Sequence, residues 1–151
     1  MSLLDDLDGK VEEENQLSIK KNPNSEELYF ATSRGQHKEG DIWRLEDDLK
    51  PIHVASREYE ITTLCSHEGK LYDAGQYFGI FETLKDPKGK NRIEDIRTMI
   101  LYSHEGKLYG AGQNWIYEIL GDSNGRQSIG GRRDGVSAFC SHEGKLYDAV
   151  Y

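Results

Sequence analysis

The 151-residue sequence predicts an all-β protein built from a repeated unit of four short strands. A seven-residue string, Ser-His-Glu-Gly-Lys-Leu-Tyr, begins at Ser66, Ser103 and Ser141. These starts lie 37 and 38 residues apart, and a fixed spacing of this size indicates stacked repeats. Apart from the acidic stretch 3–14, which is interpreted as a frayed helix or a tail, no segment shows the helical spacing of apolar residues.

The second repeat shows the expected elements in order. Its strand-like runs are 61–65, 71–74, 80–84 and 92–96. The turn 67–70 joins the first two runs, and its Gly69 suits a backbone position with positive φ. The segment 86–89, Asp-Pro-Lys-Gly, is a turn between the last two runs because Asp, Pro and Gly favour turns.

Both faces of the third run are apolar, with Ile80 and Leu84 on one face and Phe81 on the other. A sheet with one face in water alternates more cleanly, so this pattern indicates a sheet packed between two neighbours. Four strands at a spacing of about 40 residues are what a β-propeller blade requires. We therefore predict β-propeller blades of four antiparallel strands with a repeat of about 38 residues. A β-solenoid, whose repeats are usually shorter, is the alternative.

The phrase Gly-Lys-Leu-Tyr after a tight turn is similar to the beginning of the second strand in many propeller blades. On this phrase and its spacing, the chain resembles the β-propeller repeat proteins of WD40 or kelch architecture over about residues 15–151. The Trp-Asp and Gly-His signatures of WD40 blades are missing from the sequence. The double glycine of kelch blades occurs once, at Gly130-Gly131, in a different strand context. The resemblance implies an architecture and no particular functional residues.

The repeats predict a single domain over residues 1–151 with three full blades and half-blade strands at the termini. The full units span about 16–57, 61–97 and 98–134, and a partial unit spans 135–151. The stretch 1–15 is either a tail or a closing segment, with residues 10–13 as an outer strand of the partial unit.

An unpaired sheet edge is rarely left open, so the partial unit predicts some form of closure. One chain could close a ring of four blades, or two chains could pair head to tail and complete one ring. The small units leave little room for the tight curvature of four blades, which favours the head-to-tail dimer. The chain could also be a piece of a longer propeller.

The net charge of −8 argues against nucleic acid and against an anionic membrane surface as partners. No apolar run approaches the roughly 20 residues of a membrane span, and the N-terminus lacks the features of a secretory signal, so we expect a cytoplasmic location. The sequence contains no phosphate-binding loop and no zinc-protease motif, and no nucleophile–His–Asp set can be assigned. We expect no catalytic residue, no metal and no cofactor.

The loops that follow the second strand of each unit are the candidate binding sites, because they differ between copies that otherwise match. The candidate residues are Gln76, Tyr77, Gln113, Asn114, Trp115 and Arg34. Amides can bond hydroxyl groups and an aromatic face can stack on a sugar or another polar ligand. The alternative is that the aromatic residues pack between repeats.

Several other residues recur at equivalent positions. The histidines His67, His104 and His142 share one turn position, and the symmetry spreads them too far apart to bind one metal ion. Cys65 and Cys140 share a slot with Tyr102, which predicts buried free thiols. Arg57, Arg97 and Arg133 end their units and are expected to make ion pairs or hydrogen bonds between repeats.

These features predict a non-catalytic binding or interaction protein that recognises a protein or peptide partner. The alternative is a carbohydrate- or small-molecule-binding propeller that uses the Gln and aromatic loops. An enzyme with an active site at the central channel is a third possibility.

Overall fold

The computed structural model describes residues 27–34, 39–121 and 125–150. These residues form twelve strands in four small antiparallel sheets, which confirms the all-β prediction. The described residues contain no helix that could serve as a membrane span. The sequence-based expectations for the stretches 1–15 and 3–14 lie outside the described residues.

The sheets follow one another along the chain. The first sheet contains β1 (Leu28–Arg34), β2 (Glu39–Leu45) and β3 (Pro51–Arg57). The second contains β4 (Thr63–His67), β5 (Lys70–Gly75) and β6 (Gly79–Glu82). The third contains β7 (Ile100–His104), β8 (Lys107–Ala111), β9 (Trp115–Ile119) and β10 (Arg126–Gly131). The fourth contains β11 (Val136–His142) and β12 (Lys145–Val150).

The third sheet alone among the described sheets has the four strands expected of a full unit. In the second unit, the expected fourth strand at 92–96 is reduced to a single bridge between Ile80 and Glu94. The chain turns directly after Glu82, where the N–H of Asp86 bonds the Glu82 carbonyl at 3.0 Å. The third strand is therefore too short to pair a full fourth strand, and the prediction for 92–96 is wrong.

The repeated string forms a two-residue hairpin turn in each of three sheets. Gly69 has a φ of 73°, as expected, and the preceding Glu68 also has a positive φ of 48°. The same pair of positive angles occurs in the two later copies, at Glu105 and Gly106 and at Glu143 and Gly144. Two successive positive φ angles define a type I′ turn, whose twist matches that of the paired strands.

The core lies at the boundaries between successive sheets. Ile42 and Ala55 of the first sheet pack against Leu71 of the second. The largest cluster joins the second and third sheets, with Tyr72 and Leu108 among its members. A smaller cluster joins the third sheet to Val136 of the fourth. The sheets thus pack face to face in chain order, and no closed barrel or ring occurs among the described residues. The blade arrangement stays a prediction.

Candidate functional site

The loops that follow the second strand of two successive repeat units meet at one end of the stacked sheets. Gln76 follows β5, while Gln113 and Asn114 follow β8, and the three line one depression of about 300 Å³. Met99 and Gly135, from the connections before β7 and β11, complete its lining. The structure therefore brings together three of the six candidate residues, and it adds two that sequence reasoning missed.

Backbone contacts fix the loop that carries Gln113 and Asn114. A Cβ added at Gly112 would lie 2.5 Å from the carbonyl oxygen of Arg97, so only glycine fits this close approach. The N–H of Gly112 bonds the carbonyl of Trp115 at 3.1 Å. The N–H of Arg132 bonds the carbonyl of Asn114 at 2.8 Å. The two amide side chains therefore project from a loop that neighbouring backbone holds on both sides.

The remaining candidates are not part of the lining of this depression. Tyr77 is mostly exposed, and the guanidinium of Arg97 lies 5.0 Å from the centre of its ring. Trp115 is half exposed, and its indole covers the Cα of Gly131. Arg34 is the last residue of β1, and its side chain lies outside what the structure describes. The two aromatic residues make local packing contacts and still leave large surfaces in water.

A second cavity was not anticipated from the sequence. It has a volume of about 460 Å³ and lies beside the end of β3. Its lining includes the basic residues Arg57, Lys88, Lys90 and Arg92 and the aromatic residues Tyr59, Phe78 and Phe81. The sequence signal for this cavity is the short basic run 88–92 in an otherwise acidic chain.

A buried ionic network underlies this basic cavity. The guanidinium of Arg57 donates to both oxygens of the Asp73 carboxylate, at 2.8 and 2.5 Å. The hydroxyls of Tyr59 and Thr83 donate to the same carboxylate at 3.0 and 2.9 Å. Burial raises the pKa of the Tyr59 hydroxyl well above its usual range, and the charge of Asp73 raises it further. The tyrosine is therefore a hydrogen-bond donor here and holds its proton.

Of the three arginines predicted to link repeats, Arg57 alone makes an ion pair with another unit among the described residues. Arg57 of the first unit bonds Asp73 of the second, as expected. Arg132 bonds Asp148 of the fourth sheet through two hydrogen bonds of 2.5 and 2.6 Å, so the choice of Arg133 was wrong. Arg133, the next residue in the chain, is exposed, so it is Arg132 that faces the fourth sheet. Arg97 packs on Tyr77 within its own region.

The repeated histidines make contacts between sheets. Nδ1 of His67 shares a hydrogen bond of 2.9 Å with the hydroxyl of Ser103, in the next copy of the string. Nδ1 of His104 shares one of 2.6 Å with the hydroxyl of Ser141. The histidines of the first two strings thus bond the serine of the following string, a role that sequence reasoning missed by treating the histidines as turn residues only.

The cysteine slot takes part in the same contacts. Burial raises the pKa of the Cys65 thiol, although a hydrogen bond from the backbone N–H of Ser103 opposes the rise. Tyr102 occupies the slot in the third sheet, and its hydroxyl accepts the N–H of Ser141 at 3.0 Å. Cys140 is exposed, so the expectation of a buried thiol is wrong there. Its slot faces away from the third sheet, where no described residue covers it.

Comparison with known proteins assigns neither a family nor a function to the chain. The chain matches no protein-family model, no curated protein and no solved structure among those compared.

Proposed function

We propose that the four sheets are blades of a β-propeller and that the protein is a non-catalytic binding module. The support for the blade arrangement is the repetition of one packing mode, in which each sheet lays its apolar face on the next in chain order. The support for a binding role is the depression in which loops from successive sheets converge on Gln76, Gln113 and Asn114.

The chemistry of the depression favours binding over catalysis. Its five lining residues include three amides and no acid, base or nucleophile. Side-chain amides donate and accept hydrogen bonds at once, so they suit neutral polar groups such as the backbone of an extended peptide. We infer that the partner is a peptide segment of another protein. We also propose that the protein acts in the cytoplasm and that this acidic chain binds neither nucleic acid nor membranes.

Carbohydrate binding is the second candidate, and Trp115 is the observation that favours it. Its indole is half exposed and adjoins Asn114 in the chain, so a sugar ring could stack on it while its hydroxyls bond the amides.

Parallel screening of a peptide library and a glycan array tests both candidates. The double variant Gln113→Ala with Asn114→Ala is expected to weaken binding of any peptide hit about tenfold or more, because each lost amide bond is worth about 1 kcal/mol. Gln127→Ala, on the exposed strand β10, is the matched control and is expected to bind normally. Hits confined to glycans and lost on Trp115→Ala would favour the second candidate. Equal binding by the double variant and the control would contradict a site at this depression.

A further inference from the structure

The fourth sheet exposes a face that is covered in the two sheets before it. We call the side of a sheet that meets the following sheet its back face, and the opposite side its front face. In the second sheet the back face carries Cys65, His67, Tyr72 and Ala74. The fourth sheet carries the same residue types in the same strand register, at Cys140, His142, Tyr147 and Ala149.

The exposed fractions of these matched side chains differ sharply. Tyr72 and the corresponding Tyr109 of the third sheet are 8% and 9% exposed, whereas Tyr147 is 49% exposed. The histidine side chains show the same contrast, with 11% for His67 and 69% for His142. The back face of the fourth sheet is therefore built like an interface between sheets, yet no described residue covers it.

The front face of the first sheet is the complementary surface, and among the described residues no other sheet packs on it. Leu71 and Leu108, on the front faces of the second and third sheets, are 7% and 3% exposed. Leu28 occupies the equivalent position in the first sheet and is 60% exposed. Phe30 and Trp43 lie opposite each other in the register of β1 and β2 and share this face with Leu28. Soluble proteins rarely expose contiguous apolar surface on a sheet face, and such a surface marks an interaction site.

We propose that the back face of the fourth sheet binds the front face of the first sheet in a second copy of this chain. All three contacts inside the chain join a back face to a front face, so this pairing continues an interface that the molecule already uses three times. The contact is head to tail, and such a contact closes a ring when the rotation between copies permits. It goes beyond the proposed ligand binding and does not depend on it.

Light scattering on the full chain over a wide concentration range tests the contact. We expect a mass of twice the 17.2 kDa of one chain at high concentration. Tyr147→Arg and Leu28→Arg, each at an exposed position, are expected to return the mass to that of one chain. Tyr77→Arg alters an exposed tyrosine in a loop away from both faces and is the matched control, with the doubled mass retained.

Mixing the two single variants distinguishes head-to-tail pairing from other symmetries. Each variant keeps one intact face, so an equimolar mixture is expected to recover the doubled mass through one good contact. A doubled mass in Leu28→Arg alone would indicate pairing of two back faces and would overturn the proposal. A wild-type mass of 17.2 kDa at every concentration would overturn it as well.

The reactivity of Cys140 shows whether another occupant covers the face. In a Cys65→Ser background, we expect the thiol of Cys140 to react slowly with a maleimide at high concentration and quickly after dilution. Fast reaction in Leu28→Arg at both concentrations would support the second copy as the occupant. Slow reaction in a chain of single mass would show that a segment of the same chain lies on the face, which contradicts the proposal.

Discussion

The carboxylate of Asp73 on β5 accepts two hydrogen bonds from the guanidinium of Arg57 at the end of β3, and both side chains are fully buried. This pair connects the first sheet to the second. Burial disfavours the charged guanidinium, but the hydrogen bonds and charge of Asp73 outweigh that effect and raise the pKa of Arg57. The packing of these two sheets therefore depends on a buried ion pair as well as on apolar contacts.

Replacing Asp73 with Asn is expected to lower the free energy of unfolding by about 3 kcal/mol, because Arg57 would stay buried without a counter-charge. Urea unfolding followed by tyrosine and tryptophan fluorescence measures the loss. Asp148→Asn is the matched control, since Arg132 is partly exposed and can be solvated, so we expect a clearly smaller loss. Equal losses of unfolding free energy in the two variants would contradict the expectation that burial makes the Arg57–Asp73 pair the more costly one to break.

The contact between Arg132 and Asp148 predicts a dependence of stability on pH. The hydrogen bonds and charge of Arg132 hold the pKa of Asp148 below its usual value. A carboxyl group whose pKa is lower in the folded state stabilises the protein above its unfolded pKa of about 4, and this contribution is lost as the pH falls through the folded pKa. We expect wild type to melt at a higher temperature than Asp148→Asn at pH 7, with the gap closing below about pH 4. A gap that stays constant down to pH 2 would contradict this.

The hairpin of the third sheet predicts a stabilising substitution. Glu105 has a φ of 47°, a left-handed conformation that Asn adopts more easily than Glu. Glu105→Asn is expected to raise the free energy of unfolding by about 0.5–1 kcal/mol, measured by urea unfolding. Glu58→Asn removes an exposed charge at a position without positive φ and is the control, with no gain expected. A gain in stability in both variants would show that removal of a negative charge, and not the backbone conformation, is the cause.

Two glycines that lie two residues apart in the chain, Gly110 and Gly112, give a test of the loop geometry. A Cβ at Gly112 would meet the Arg97 carbonyl, so Gly112→Ala is expected to cost about 1–3 kcal/mol and to disturb the loop that carries Gln113. At Gly110 the nearest atoms would lie at ordinary contact distance, 3.5 Å, so Gly110→Ala should be tolerated or slightly stabilising. Thermal melting compares the two variants. Equal changes in melting temperature would argue against a close approach of Gly112 to the Arg97 carbonyl.

Sequence reasoning anticipated the elements whose information is local. The turn at Gly69 and the two-stranded fourth sheet follow from turn residues and alternating patterns near each other in the chain. The candidates Gln76, Gln113 and Asn114 were found because they lie in loops that differ between otherwise matching copies, and the structure brings them together.

The features that sequence reasoning missed depend on contacts between distant residues. The turn after Glu82 shortens β6, and no pattern in 92–96 reveals that its partner strand ends early. The choice between Arg132 and Arg133 depends on which side chain faces the fourth sheet. The exposure of Cys140 likewise depends on which neighbour covers its sheet, a property that the matching Cys65 does not share.

An experimental structure of the assembled protein tests whether every sheet packs its back face on the front face of the next. We expect a closed ring of sheets in which Tyr147 of one copy is buried against the first sheet of another, near its Leu28. A structure in which Tyr147 and Leu28 both face solvent in every copy, with the sheets in an open stack, would contradict it.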